Sequence, residues 1–367
     1  MLVVATHTFS PYLGQANIPL WLNSIGLNSA RGVQLFFMLS ALTLFLSMQF
    51  RSSQRAMPAW SFFLRRFFRI APMYYVGIAY YLLLGFVVDP SQHPGGWELL
   101  SVVTFTNWLS PFWIQSVPPG GWSITVEMTF YLFVPLLFAY VTTLRRAIYG
   151  FIVTCLASYG IIAWLSTLRP ITDQKIWEHF LIYFFPAQAP IFLLGIVCYF
   201  LVTYESRQED TTKLATPLVI LACMLMYQLT VDSRLFGSNI LYCLAFLGLI
   251  LGLKLRPARL FVNPVMIFFG KISFSMYLIH FAIITMTVRY DFERLIPNPS
   301  LNYGLRFLVV LGITATVAYA TNYFFEVPGQ RLGKRIIRRI ADSRLAKSRS
   351  EATPGGRANL SAPGPTA

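Results

Sequence analysis

Apolar residues fall along the chain in long blocks separated by short polar stretches. Blocks at 32–50, 70–88, 122–141, 147–165, 180–203, 214–230, 238–253, 262–288 and 303–325 predict membrane helices, since a bilayer span takes about 20 mostly apolar residues. Segment 1–10 is apolar but short. Its six residues before His7 make about 9 Å of helix, against roughly 30 Å of hydrocarbon. The expectation is a truncated first helix or a start codon further upstream. The stretch has neither a basic n-region nor a small-residue cleavage site, so it does not read as a signal peptide. Segment 98–114 is apolar but broken by Asn107 and Pro111. Residues 341–367 are rich in Ser, Ala, Gly, Pro and Arg. They read as a disordered basic tail behind a membrane domain over 1–340.

Composition narrows the class. Hydrophobic residues make up 56% and charged residues 12%, where a soluble domain carries about 25% charged. Mean hydropathy is +0.59. A soluble enzyme, a disordered chain, a collagen and a disulfide scaffold are excluded. Cys155, Cys198, Cys223 and Cys243 all lie in apolar stretches without CxxC or Cys/His spacing. Neither a disulfide framework nor a zinc site is expected. The fold class is therefore all-α, a polytopic helical membrane protein.

The net charge of +15 would suggest nucleic acid in a soluble protein. Here basic residues are better read as cytoplasmic anchors, with no nucleic acid as partner. Clusters stand at Arg51, Arg55, Arg65, Arg66 and Arg69; at Arg145 and Arg146; at Lys254, Arg256 and Arg259; and from Arg331 onward. If 98–114 crosses the membrane, the second cluster lands opposite the first. If it does not, all share one side. That favours about ten transmembrane helices plus one re-entrant or surface helix at 98–114, in the cytoplasmic membrane with both ends cytoplasmic. On this topology His7, Arg31 and Glu127 lie toward the outer face and Arg65, Arg66 and Arg69 at the inner face. The stretch Arg331–Arg339 is expected to meet anionic lipid headgroups.

Ionisable groups inside membrane helices are costly and so are candidates for function. His7 follows the run LVVAT and is either a packed interfacial residue or a general base. Ser123, Glu127 and Tyr131 are spaced four apart in GWSITVEMTFY, 121–131, and share a helix face. Glu127 is either functional or a structural carboxylate paired with Arg31, and both readings put it in a polar cavity. In RRFFR, helical spacing puts Arg65, Arg66 and Arg69 on one side. They are either membrane anchors or a phosphate clamp, for which the guanidinium fork is suited. Pro72 favours a helix start just beyond them. Ser273, Tyr277 and His280 form a polar stripe that lines a cavity or bonds between helices. Glu326 is expected to pair with Arg331 or Lys334, and His93 and His179 lie in outer loops. No P-loop, GxSxG, HExxH or GxGxxG pattern occurs. A His, a Glu and an Arg near one face and arginines at the other suit two substrates arriving from opposite sides.

Six segments then become recognisable in order: RGVQLFFMLSALTLF, FLRRFFRIAPMYY, GWSITVEMTFYLFVP, FLLGIVCYF, ISFSMYLIH and YFFEVPGQRLGKR. Together with the histidine of LVVATH, they resemble the acyltransferase 3 family of bacterial membrane O-acyltransferases over roughly 1–335. The resemblance implies a ten-helix enzyme that moves an acyl group, most often acetyl, from cytoplasmic acyl-CoA to a hydroxyl of a cell-surface or exported glycan. It implies that His7 is the essential histidine, that Arg65, Arg66 and Arg69 contact the donor, and that Glu127 is the glutamate of the Trp122-Ser123 segment. Acyl-CoA is then a co-substrate, and no bound cofactor or metal is expected. Two departures stand out. The arginine that the family places about eleven positions before the histidine would precede Met1, and Ala41 stands where glycine is usual.

The mechanism expected has acyl-CoA phosphates on Arg65, Arg66 and Arg69 and the thioester near His7. His7 takes the acceptor proton or forms an acyl-histidine. Glu127 orients the imidazole and Arg31 stabilises the oxyanion. Trp122, Ser123, Tyr131, Tyr277 and His280 complete the cavity. The rival reading is a transporter or flippase for a sugar-linked substrate.

Overall fold

A computed structural model describes residues 1–9, 19–52, 59–88, 94–168, 170–203, 238–289 and 296–351, with isolated positions between 216 and 230. Most of the apolar block 214–230 lies outside the described residues, as do Arg55, His93 and the tail beyond 351.

Every regular element among the described residues is helical. In order they are α1 (Leu2–Phe9), α2 (Leu20–Asn28), a 3-10 turn at Ser29–Arg31, α3 (Gly32–Ser52), α4 (Ala59–Val88), α5 (Gly96–Val103), a 3-10 turn at Asn107–Leu109, α6 (Gly121–Tyr140), α7 (Leu144–Leu168), α8 (Gln174–Tyr183), α9 (Phe185–Thr203), α10 (Ser238–Leu255), α11 (Pro264–Arg289), α12 (Pro299–Thr321), a π-helical turn at Asn322–Glu326 and α13 (Val327–Glu351). Seven helical stretches among the described residues are long and apolar enough to cross a membrane. The chain is a multi-pass helical membrane protein.

Three boundaries differ from the expected ones. The block at 70–88 begins much earlier, at Ala59, and Pro72 lies inside α4 rather than at its start. Proline removes one backbone donor and crowds the carbonyl four residues back. Here α13 packs antiparallel across that spot: Arg344 covers the Trp60 ring at 4.9 Å, while Gly333 and Gly329 lie against Phe68 and Pro72. Glycines four apart let two membrane helices approach this closely.

The block at 180–203 is two helices. Phe184 takes an extended conformation, φ −67° and ψ 155°, two residues before Pro186, which has no N–H to give to the preceding turn. The last block grows in both directions. Asn298 caps α12 by accepting from the N–H groups of Ser300 and Leu301 at 3.0 and 3.1 Å, and the helix continues through the π turn into α13. α13 thus runs past residue 340, through Glu351. Segment 98–114 does not span: α5 has eight residues, about 12 Å of helix, followed by turns.

The basic clusters gather at one end of the bundle. Arg146 donates to the Tyr140 carbonyl at 3.0 Å, just past α6. Lys254 reaches the Leu201 carbonyl near the end of α9 at 3.5 Å. The glycine pair of α13 holds Arg331–Arg339 beside the start of α4. Between the two ends, α9 packs on α3 through stacked Phe37 and Phe192, 4.7 Å apart, and on α6 through Phe130 and Phe192, 4.1 Å apart. Ala41 is fully buried in the first contact. It is accommodated because Gly195 faces it: a side chain there would meet the Ala41 Cβ at 2.8 Å.

Candidate active site

The site starts from a turn. Gly120 precedes α6 with φ +77°, a conformation that only glycine adopts without strain. A Cβ there would also strike the Tyr277 hydroxyl at 2.8 Å and Phe281 at 2.9 Å. The turn presents its carbonyl inward. Tyr277 Oη donates to the Gly120 carbonyl at 2.8 Å and accepts from Ser123 Oγ at 2.8 Å. One glycine therefore locks α6 to α11.

One turn further along α11, the His280 Nδ1 lies 2.6 Å from the Tyr277 carbonyl. A carbonyl only accepts, so Nδ1 carries the proton. The His280 ring is fully buried. It lies 5.4 Å from the ring of His7 on α1, and Phe281 touches both imidazoles at 4.1 and 4.3 Å. α1 is held in place by Tyr303 of α12, which bonds the Ala5 carbonyl at 3.3 Å and meets Phe9 edge-on.

His7 faces a cavity of about 490 Å³, whose walls include Arg31, Gln34, Gln115, Trp122, Tyr183 and Tyr277. Arg31 donates to Asn239 Oδ1 and lies 5.7 Å above the Tyr242 ring. Trp122 stacks on Tyr183 at 4.3 Å. The cavity thus offers an imidazole, a guanidinium, two side-chain amides and a stacked aromatic pair. A second, apolar cavity of about 140 Å³ adjoins it, lined in part by Ser273, Tyr277 and His280. The polar stripe read from their spacing is a cavity wall.

Glu127 is elsewhere. It lies four residues beyond Ser123, about 6 Å along α6, and is 2% exposed. Ser40 and Tyr131 both donate to its Oε1, at 2.5 and 2.6 Å. The charges of Arg69 and Arg66 act on it, and Arg66 lies 5.8 Å over both Phe62 and Tyr131. Two expectations change. Glu127 does not reach the His7 cavity wall, and it is bonded to Ser40 and Tyr131, not to Arg31. Glu326 also differs. Ser275, Asn322 and Gln330 donate to it at 3.0, 2.8 and 3.2 Å, and Arg69 is the arginine whose charge acts on it. The charge of Arg69 thus acts on two buried carboxylates, one on α6 and one on the π turn. Arg65 bonds Ser61 at 2.8 Å.

Sequence reasoning missed several residues. Gln34, Gln115, Tyr183 and Phe281 line the main cavity, and Ser40 holds Glu127. Uncharged side chains in apolar runs carry little signal of their own. Ser40 stands seven residues after Val33 on α3, and both face the bundle. Arg306 is 1% exposed and reaches Thr287 Oγ1 at 3.5 Å. His179 lies in α8, not in a loop, and borders a small cavity with Glu98. No group of three His, Cys, Asp or Glu able to hold a metal occurs among the described residues.

The model of the Acyl_transf_3 family, described as an acyltransferase domain, matches residues 1–323. Proteins named "Putative O-acetyltransferase" from Staphylococcus aureus strains COL, MSSA476 and MRSA252 are each 24% identical over 236 residues, which is 59% of this chain and 37% of the relative. The chain therefore matches little more than a third of the length of these relatives. No solved structure matches it. With the family model covering most of its length, the chain belongs to the Acyl_transf_3 family of acyltransferases.

Proposed function

We propose that the protein is a membrane O-acyltransferase that moves an acyl group, acetyl in the first instance, from acyl-CoA to a hydroxyl of a cell-surface or exported glycan. One observation carries the reading. His7, Arg31 and the Trp122–Tyr183 stack border one cavity, and Arg66 and Arg69 act on Glu127 a single helical turn further along α6. α6 thus contributes Trp122 to the cavity and Glu127 to the arginine region.

Acyl-CoA enters at the arginine end, which by charge is cytoplasmic. Arg65, Arg66 and Arg69 take its phosphates, with the buried carboxylates Glu127 and Glu326 within range of the Arg69 charge. The acceptor enters the cavity from the other face. An aromatic stack and side-chain amides suit a sugar ring with several hydroxyls.

The acceptor oxygen attacks the thioester carbonyl, and His7 takes its proton. The C–S bond of the tetrahedral intermediate breaks, CoA leaves as thiolate, and the proton passes from His7 to sulfur. Arg31 faces the oxyanion, where a pre-placed donor lowers the barrier most. The transporter reading has no observation of its own to favour it.

Native membranes containing the protein, incubated with acetyl-labelled acetyl-CoA, are expected to yield label in an alkali-labile ester on extractable glycan. That label is expected to vanish with His7→Ala. Equal labelling by His7→Ala, or substrate crossing the membrane without consumption of acetyl-CoA, overturns the reading.

A further inference from the structure

The imidazole of His280 has a tautomer fixed by the fold. Its Nδ1 points back to the Tyr277 carbonyl of its own helix at 2.6 Å, and must be the protonated nitrogen because a carbonyl cannot donate. Nε2 is then a bare lone pair. It is buried without a hydrogen-bond partner among the described residues, on a residue that is fully enclosed. An unfilled acceptor at that depth is destabilising, and such groups persist where another state of the protein fills them.

Geometry indicates which group does so. With Nδ1 turned onto α11, Nε2 lies on the ring edge facing away from that carbonyl. The His7 ring on α1 is 5.4 Å away, centroid to centroid, with Phe281 against both rings. Thr8, the next residue of α1, has its hydroxyl committed to the Val4 carbonyl at 2.7 Å. Glu127, the carboxylate expected to steady His7, is engaged with Ser40 and Tyr131.

We propose that His280 is the positioning residue of the reaction centre: its Nε2 accepts the N–H of His7, and accepts it most strongly when His7 has become imidazolium. This rests on His7 being the base. The arrangement has the logic of a catalytic triad with a neutral imidazole in the place of the carboxylate. It also explains the lock at Gly120. Tyr277, bonded to that turn through its hydroxyl, sets the tautomer of His280 through its carbonyl.

The test is a set of three variants, read as kcat and KM for release of free CoA from acetyl-CoA by purified protein. Binding of acetyl-CoA is measured on each variant to confirm an intact donor site. His280→Gln places an amide oxygen near the Nε2 position. His280→Asn places an amide nitrogen near the Nδ1 position and restores only the bond to Tyr277. His280→Phe restores neither. The proposal expects His280→Asn and His280→Phe to lose roughly tenfold to a hundredfold in kcat at unchanged KM, and His280→Gln to recover most of it. Full activity in His280→Asn with loss in His280→Gln overturns the proposal, because the Tyr277 bond alone would then matter. Full activity in all three overturns it as well. Wild-type protein that neither binds acetyl-CoA nor releases CoA overturns the acyltransferase reading itself.

Discussion

The two polar regions of the bundle are built on opposite principles. At the His7 end the groups are few and border open space. One imidazole and one arginine border about 490 Å³, a second imidazole lies 5.4 Å from the first, ring centre to ring centre, and Gln34 Oε1 and His280 Nε2 lack a donor among the described residues. At the arginine end the carboxylates are saturated. Glu127 takes two hydroxyl donors and Glu326 takes three side-chain donors, while Arg69 is exposed. A carboxylate with its donors in place is suited to a binding region, since nothing there needs to change during a reaction. A histidine bordering a cavity is suited to chemistry, since its proton must come and go. Removing a group from the first region should therefore act on turnover, and from the second on donor affinity.

The sharpest way to break that division is His7→Ala. Loss of a general base is expected to cut CoA release by about 10²–10⁴-fold while acetyl-CoA binding stays at the wild-type level. Equilibrium binding beside steady-state turnover checks both halves. Arg66→Ala should do the reverse. A charged hydrogen bond is worth about 1.5–3 kcal/mol, so KM for acetyl-CoA should rise roughly tenfold to a hundredfold with kcat nearly kept. Gly120→Ala probes the lock between the regions. A positive φ carried by alanine costs about 1–3 kcal/mol, and its methyl group meets Tyr277 and Phe281. A lower melting temperature in detergent and a lower kcat are expected together. Glu127→Gln should have the smallest effect. The amide keeps an oxygen for Ser40 and Tyr131 and loses only the charge felt by Arg66 and Arg69. A small rise in KM is expected, because both hydroxyl bonds to the side chain are kept. A collapse of kcat in that variant would place Glu127 with His7 and end the distinction.

How much was legible follows from what local spacing can encode. α3, α6 and α7 begin and end within a few residues of their apolar blocks, because hydropathy reports burial in lipid directly. The shared face of Ser123, Glu127 and Tyr131, and that of Tyr277 and His280, came from helical periodicity, and each emerges as a cavity wall or a hydrogen-bonded strip. Partners across the bundle did not follow. His7 and His280 are far apart in sequence and meet only because α1 is inserted against α11 and α12. Glu127 was assigned by depth to His7, yet depth alone does not say which way a side chain turns, and Ser40 had already taken it. The long start of α4 was hidden by Pro72, whose local preference is overruled by α13 packing through Gly329 and Gly333.

The most direct test of the division is a crossed measurement on one preparation: acetyl-CoA dissociation constant and CoA release for wild type, His7→Ala and Arg66→Ala. The account predicts that His7→Ala binds the donor normally and does not turn it over, and that Arg66→Ala binds weakly yet turns over at saturating donor. Loss of both properties in either variant, or loss of binding in His7→Ala, would contradict it.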